Sequence, residues 1–172
     1  MIAIGIDPGT ASLGFGVVAM DGPQLRLLDA GVVRTSASQT DAERLAELES
    51  ALRRLVAVHR PDRMAVERLF FQRNVQTAMA VGQARGVALL VAARQQLPVD
   101  EPTPNEVKLA VCGNGAADKR QVASMVERLL AVSLSGAVDD ATDALAAAIG
   151  CLYRAAAAPR VAAPATRPQT AG

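Results

Sequence analysis

Ile2-Ala3-Ile4-Gly5-Ile6-Asp7-Pro8-Gly9-Thr10 is the stretch on which the fold turns. A short apolar run followed at once by turn formers reads as a buried β-strand that stops at Asp7. A charge at the margin of a core costs free energy unless something compensates it. The same juxtaposition recurs twice. Met64-Ala65-Val66 runs into Glu67, and an apolar, Ala-rich helix opens with Asp140 and Asp143, with Asp139 just before. Each acid has an ordinary explanation by itself. Asp7 suits a turn before Pro8-Gly9, Glu67 suits a strand end facing water, and Asp140 and Asp143 suit the positive end of a helix dipole. Together they are four carboxylates at positions able to share one edge. Oxygen ligands converging without basic partners match a hard cation such as Mg²⁺.

The chain on either side gives that edge a scaffold. Leu13 to Met20 and Gln24 to Arg34 read as two further strands joined by Asp21-Gly22-Pro23, so the first three strands form an antiparallel meander. A helix is predicted from about Asp41 to His59. It is opened by the capping box Thr40/Glu43 and carries an apolar stripe of Leu45, Leu48, Leu52, Leu55 and Val56. Arg63 to Glu67 is a short fourth strand, Val75 to Gln95 a helix, and Pro98 to Pro102 an edge-like fifth strand. Thr103-Pro104-Asn105-Glu106 has an N-cap, then Pro at the first helical position and an acid at the third, and starts a short helix to about Val111. Helices follow over about Asp118–Ala131 and Asp139–Arg154. The expected architecture is α/β: a five-stranded mixed sheet flanked by helices, in one domain over residues 1–154. Residues 155–172, rich in Ala and Pro with no periodic apolar face, read as a disordered tail. If the first and fourth strands are adjacent and parallel, Asp7 and Glu67 emerge at the same carboxyl edge, where α/β sheets bind ligands.

Composition narrows the function classes. The 172 residues suffice for one well-cored domain. No apolar stretch reaches the roughly 18 uncharged residues of a membrane span, the start lacks the basic region of a signal peptide, and Cys112 and Cys151 imply no disulfide framework. A reduced, cytoplasmic protein is expected. The formal net charge of +1 does not by itself indicate a nucleic-acid binder. Its distribution says more: between Ser50 and Val99 eight arginines (53, 54, 60, 63, 68, 73, 85 and 94) face two acids, Asp62 and Glu67. Lys108, Lys119, Arg120 and Arg128 form a second basic set. Singly these are solvated helix faces; as a set they suit phosphate contact around an acidic site.

Four motifs in order carry a resemblance. Ile4-Gly5-Ile6-Asp7-Pro8-Gly9-Thr10, Val66-Glu67-Arg68-Leu69-Phe70, Gly82-Gln83-Ala84-Arg85-Gly86 and Asp140-Ala141-Thr142-Asp143-Ala144-Leu145-Ala146 resemble the RuvC-type Holliday junction resolvases, the crossover junction endodeoxyribonucleases, over about residues 1–154. The resemblance implies an RNase H-like fold, a homodimer, and cutting of four-way junction DNA by paired symmetric nicks in recombination and repair. It places the family's catalytic, metal-binding carboxylates on Asp7, Glu67, Asp140 and Asp143, with two Mg²⁺ per site and Mn²⁺ as the alternative. It places an aromatic that stacks on an unpaired base at Phe70, with Phe71 open between core and surface. It also puts phosphate-holding lysines at Lys108 and Lys119, and backbone contacts at Arg73 and Asn74. A branch-migration motor complex is the implied partner, and no membrane is involved.

The small residues Ala78, Gly82 and Gly86, four apart on one predicted helix, suit either packing within the subunit or the two-fold contact the resemblance implies. His59, the single histidine, is expected at the surface and outside the chemistry. Two other classes compete. Asp7-Pro8-Gly9-Thr10 is similar to the phosphate loop of actin-like ATPases, but those enzymes close two lobes over the nucleotide and this chain has length for one. A DNA-binding module with a decayed active site is opposed by the intact set of acids.

Overall fold

The computed structural model describes residues 1–68, 75–134 and 139–158. Five strands, β1 (Ile2–Asp7), β2 (Ser12–Asp21), β3 (Gln24–Arg34), β4 (Arg63–Val66) and β5 (Val99–Asp100), form one sheet in the order β3-β2-β1-β4-β5. The β3-β2-β1 half is the antiparallel meander expected from the short turns. The β1-β4-β5 half is parallel, as connections through helices allow. Five helices accompany the sheet among the described residues: α1 (Asp41–His59), α2 (Val75–Arg94), α3 (Pro104–Cys112), α4 (Lys119–Leu130) and α5 (Asp139–Ala157). The fold class is the predicted α/β mixed sheet.

The helix ends follow their local chemistry. Thr40, Thr103 and Asp118 each accept a backbone N–H three residues on while the Glu or Gln there bonds back, giving three capping boxes. Residues at strand and helix ends account for the differences from expectation. β5 is two residues long, with Pro98 and Pro102 flanking it, and a proline has no N–H to give a ladder. α5 runs to Ala157, past Arg154, because Ala155, Ala156 and Ala157 carry the highest helix propensity of any residue. Residues 159–172 lie outside the described residues.

Side-chain size sorts the two faces of the sheet. Ile4, Ile6, Met64 and Val66 point to one face and pack with Leu48 and Leu52 of α1 and Ala88 and Val91 of α2. Ala3 and Ala65 point to the other and pack with α3, α4 and α5. Period-two alternation thus puts the bulky residues of β1 and β4 on one side and the small ones on the other. The consequence is a close seat for α5. A Cβ on Gly5 would collide with the Ala144 carbonyl, and one on Gly14 with the Asp140 carbonyl. α5 therefore lies directly on the β1 and β2 backbone, and it is buried almost throughout from Ala141 to Leu152.

His59 corrects an expectation. It is half-buried, with Nε2 3.0 Å from Asp29 Oδ2, and ties the end of α1 to β3. Much of the arginine-rich segment is corrected as well. Arg63 pairs with Asp100 at 3.0 Å, Arg85 with Glu101, and Arg53 and Arg94 both reach Glu49, at 3.8 and 3.7 Å. Those four guanidinium groups are engaged with the protein's own acids, which lie before or after the charge run in sequence.

Candidate active site

β1 and β4 run side by side in parallel, with Ile6 opposite Val66. The Glu67 N–H continues that ladder by donating to the Ile6 carbonyl at 3.5 Å. Asp7 and Glu67 therefore leave adjacent strands at the same carboxyl edge. Asp7 also faces Gly14 across the β1–β2 ladder, and it is above Gly14 that α5 begins. The missing side chain at Gly14 lets the Asp140 backbone descend onto the sheet. Asp140 and Asp143 then reach the same edge, while Asp139 is exposed. Asp140 is among the acids whose charge acts on Asp7, while Asp139 acts on Lys119.

Electrostatics report how closely the acids are gathered. The Asp7 carboxyl is pushed up from 3.8 to about 7, first by burial and then by the negative charges of Asp143, Glu67 and Asp140; Lys119 offsets part of this. Glu67 is raised by burial and by Asp143, against Lys119 and Lys108. Lys119 is raised chiefly by Asp143, whose Oδ2 lies 3.3 Å from its Nζ. Two lysines do not balance four carboxylates at a partly desolvated edge, and the charged forms of Asp7 and Glu67 are destabilised.

Lys108 and Lys119 arrive by separate routes. The Arg68 N–H donates to the Pro102 carbonyl at 2.8 Å, which fixes the start of α3 beside Glu67 and brings Lys108 to the cleft. Lys119 is the first residue of α4, just after its cap Asp118. Both line a cleft of about 220 Å³ with Glu67 and Asp143. Phe70, Phe71, Arg73 and Asn74 lie outside the described residues.

One participant escaped the sequence reading. Ser12 Oγ donates to Asp140 Oδ2 in a short hydrogen bond. Its only signal is position: five residues after Asp7, at the first residue of the returning strand, a place that becomes meaningful once β1 and β2 are known to pair.

The donor set suits a hard divalent cation, being all carboxylate oxygen at a partly buried edge with excess negative charge. Among the described residues no three His, Cys, Asp or Glu side chains already close into a chelating group. Asp140 is engaged by Ser12 and Asp143 by Lys119. By the chemistry of the donor set, the residues fit the ion.

Comparison with known proteins gives the family. The family model for crossover junction endodeoxyribonuclease RuvC matches residues 3–151. The crossover junction endodeoxyribonuclease RuvC of Chloroflexus aggregans is 52% identical over 155 residues, covering 90% of this chain and 94% of that one. That of Heliobacterium modesticaldum is 50% identical over 153 residues, covering 89% and 94%. The structure of Thermus thermophilus RuvC superposes with a TM-score of 0.84 at 36% identity, covering 91% of this chain and 96% of that one. The same protein in complex with Holliday junction substrate gives 0.85. The yeast mitochondrial Holliday junction resolvase, at 14% identity and a TM-score of 0.59, shares the fold.

Proposed function

This chain belongs to the family of crossover junction endodeoxyribonuclease RuvC, and on that premise we propose that it resolves four-way DNA junctions by metal-assisted phosphodiester hydrolysis at the carboxyl edge of β1 and β4. One observation carries the site assignment. Parallel pairing of β1 with β4 and the descent of α5 onto Gly14 bring Asp7, Glu67, Asp140 and Asp143 to one edge. An endonuclease of this family depends on a divalent metal, and the proposed form is two Mg²⁺ per site, with Mn²⁺ able to substitute. Bound there, the ions supply an activated water and a counter-charge for the leaving 3′ oxygen.

The chain's own residues do the rest. Asp7 and Glu67, fixed on adjacent strands, form the rigid part of the ligand set. Asp140, oriented by Ser12, and Asp143 complete it from α5. Burial and the neighbouring acids raise the Asp7 carboxyl to about 7, so a bound cation would favour its ionised form. Lys119 and Lys108 hold the scissile-strand phosphate over the acids, Lys119 exchanging Asp143 for phosphate. Phe70 stacks on an unpaired base at the junction, a contact that tolerates any base, and Arg73 and Asn74 hold the adjacent backbone.

The proposed assembly is a homodimer, whose two sites match the two-fold symmetry of a four-way junction. α2 supports it. Met79 and Leu90 are 62% and 47% exposed, Gly86 between them has open space where a side chain would stand, and the three share one helical face. Work beside a branch-migration motor in the cytoplasm belongs to the same proposal. No helix among the described residues is long and apolar enough to cross a membrane.

The test is cleavage of a labelled synthetic four-way junction with Mg²⁺, using wild type, Asp7→Asn and a linear duplex control. Symmetric nicks by the wild type alone, absent on the duplex, are expected. Tight binding without a cut under either Mg²⁺ or Mn²⁺ would move the protein to the binding-module class. Phe70→Ala is expected to weaken cleavage more than binding, and a wild-type cleavage rate would remove the stacking role.

A further inference from the structure

α4 presents three faces. Its first residue, Lys119, is turned to Asp143, and Val122, Val126 and Leu130 are buried in the core. Arg120, Ser124 and Arg128 form a third, exposed stripe four residues apart. That stripe is one wall of a groove of about 620 Å³ whose other wall is the end of α3 and the loop after it, with Cys112 and Asn114. Unlike Arg63 and Arg85, which are tied to Asp100 and Glu101, neither Arg120 nor Arg128 is in an ion pair among the described residues. The one acid in the groove, Asp118, is the α4 cap and accepts the Gln121 N–H at 2.9 Å.

We propose that this groove is a second phosphate-binding surface, seating the backbone of one duplex arm of the junction as it leaves the active site. The inference rests on the junction-resolving activity proposed above. Eight residues of α-helix separate Arg120 from Arg128 by about 12 Å, a span over which duplex DNA presents roughly seven phosphate charges. Free guanidinium groups with neutral hydrogen-bonding side chains between them are the usual contacts to phosphate and sugar, which position a duplex without reading its sequence. Lys119 and Arg120 are consecutive in the first turn of α4, so the cleft and the groove adjoin at the start of that helix. The groove thus orients an arm, and its contribution is insensitive to base sequence.

The experiment measures affinity for catalytically inert four-way junctions in Ca²⁺, between 50 and 200 mM salt, with long arms and with arms cut back to a few base pairs. Wild type is compared with Arg120→Gln/Arg128→Gln and with a matched loss of charge at Arg26, near the start of β3, and Arg54, on α1. The groove variant should lower the slope of log affinity against log salt by about 2, so that wild type loses about tenfold more affinity than the variant across that range. Shortening the arms should weaken wild type and leave the groove variant little changed. Thermal melting checks that the variant is folded, as two exposed, unpaired side chains lead one to expect. If the groove variant keeps the wild-type slope and arm dependence, or the Arg26/Arg54 control loses as much, the groove is not an arm site. Junction cleavage by the wild type in Mg²⁺, run alongside, separates that outcome from failure of the resolvase reading, in which the wild type itself would not cut.

Discussion

The two ends of β4 and α5 carry similar side chains in opposite balance. At the carboxyl edge, Asp7, Glu67, Asp140 and Asp143 share Lys119 and Lys108, and burial with mutual repulsion lifts Asp7 to about 7. At the amino edge, Asp100 stands between Arg63, at 3.0 Å, and Arg154, at 3.6 Å, with the Cys151 thiol beside them. Burial alone would raise Asp100, but the Cys151 thiol and the Arg63 guanidinium outweigh it and hold the carboxyl below its ordinary range. The Cys151 thiol is pushed up to about 12, by burial and then by Asp100, so it is no nucleophile. The sheet thus carries acids matched by cations at one edge and acids in excess at the other, although at the matched edge Arg63 Nε, Asp100 Oδ2 and both terminal nitrogens of Arg154 are buried without a hydrogen-bond partner among the described residues. Charge imbalance, more than charge itself, distinguishes a site awaiting a ligand from a structural ion pair.

The largest expected effect breaks the edge with acids in excess. Asp7→Asn should lower junction cleavage by about 10³-fold or more, several kcal/mol of transition-state stabilisation, while junction binding persists. Single-turnover cleavage and equilibrium binding measured on the same junction check both halves. The same substitution sharpens the comparison through pH. The folded pKa of Asp7 lies above its unfolded value, so its contribution to stability is fully present below about pH 4 and is lost as pH rises through about 7. In metal-free buffer at pH 8, Asp7→Asn should therefore be more stable than wild type by about 2–4 kcal/mol, the gap closing toward pH 4. Denaturant melts across that range read the difference. Adding Mg²⁺ at pH 8 should raise the wild-type melting temperature more than that of Asp7→Asn.

Gly14→Val comes next. Its side chain meets the Asp140 backbone, so α5 must retreat from the carboxyl edge. A loss of about 1–3 kcal/mol is expected from overpacking, with a fall in cleavage larger than that stability loss explains. Cleavage measured well below the melting temperature distinguishes the two effects. At the amino edge, Asp100→Ala leaves Arg63 and Arg154 without their acid. These groups are partly exposed, so about 1–2 kcal/mol is expected, short of the 3–5 of a fully buried pair. Cleavage at low temperature should be unchanged, and a loss of rate there would show that the two ends are coupled through α5. The smallest effect is Ser12→Ala, which frees Asp140 and should reduce cleavage about three- to tenfold, partly restored by raising Mg²⁺. A rate unchanged at limiting Mg²⁺ would remove Ser12 from the site.

Much of the carboxylate edge was legible because its signals are local. An apolar run ending in Asp7-Pro8-Gly9, a second ending in Glu67, and acids opening an apolar helix each depend on neighbours a few residues away, as do the capping boxes at Thr40 and Thr103. Partnerships between distant residues were not legible. Arg63 and Arg85 read as free cations until Asp100 and Glu101 came alongside them, and His59 read as a surface residue until β3 brought Asp29 to it.

The sequence by itself determined which residues form the strands, where the helices start, and that four acids lie at element ends, since backbone sterics, periodicity and capping act over a few residues. Only the tertiary structure decided that Asp7 and Glu67 are neighbours, that Ser12 holds Asp140, and which arginines remain free for a ligand. Those outcomes depend on strand order and on the space left by Gly5 and Gly14 for α5, because a side chain's charge is satisfied or left wanting by whatever the fold places beside it.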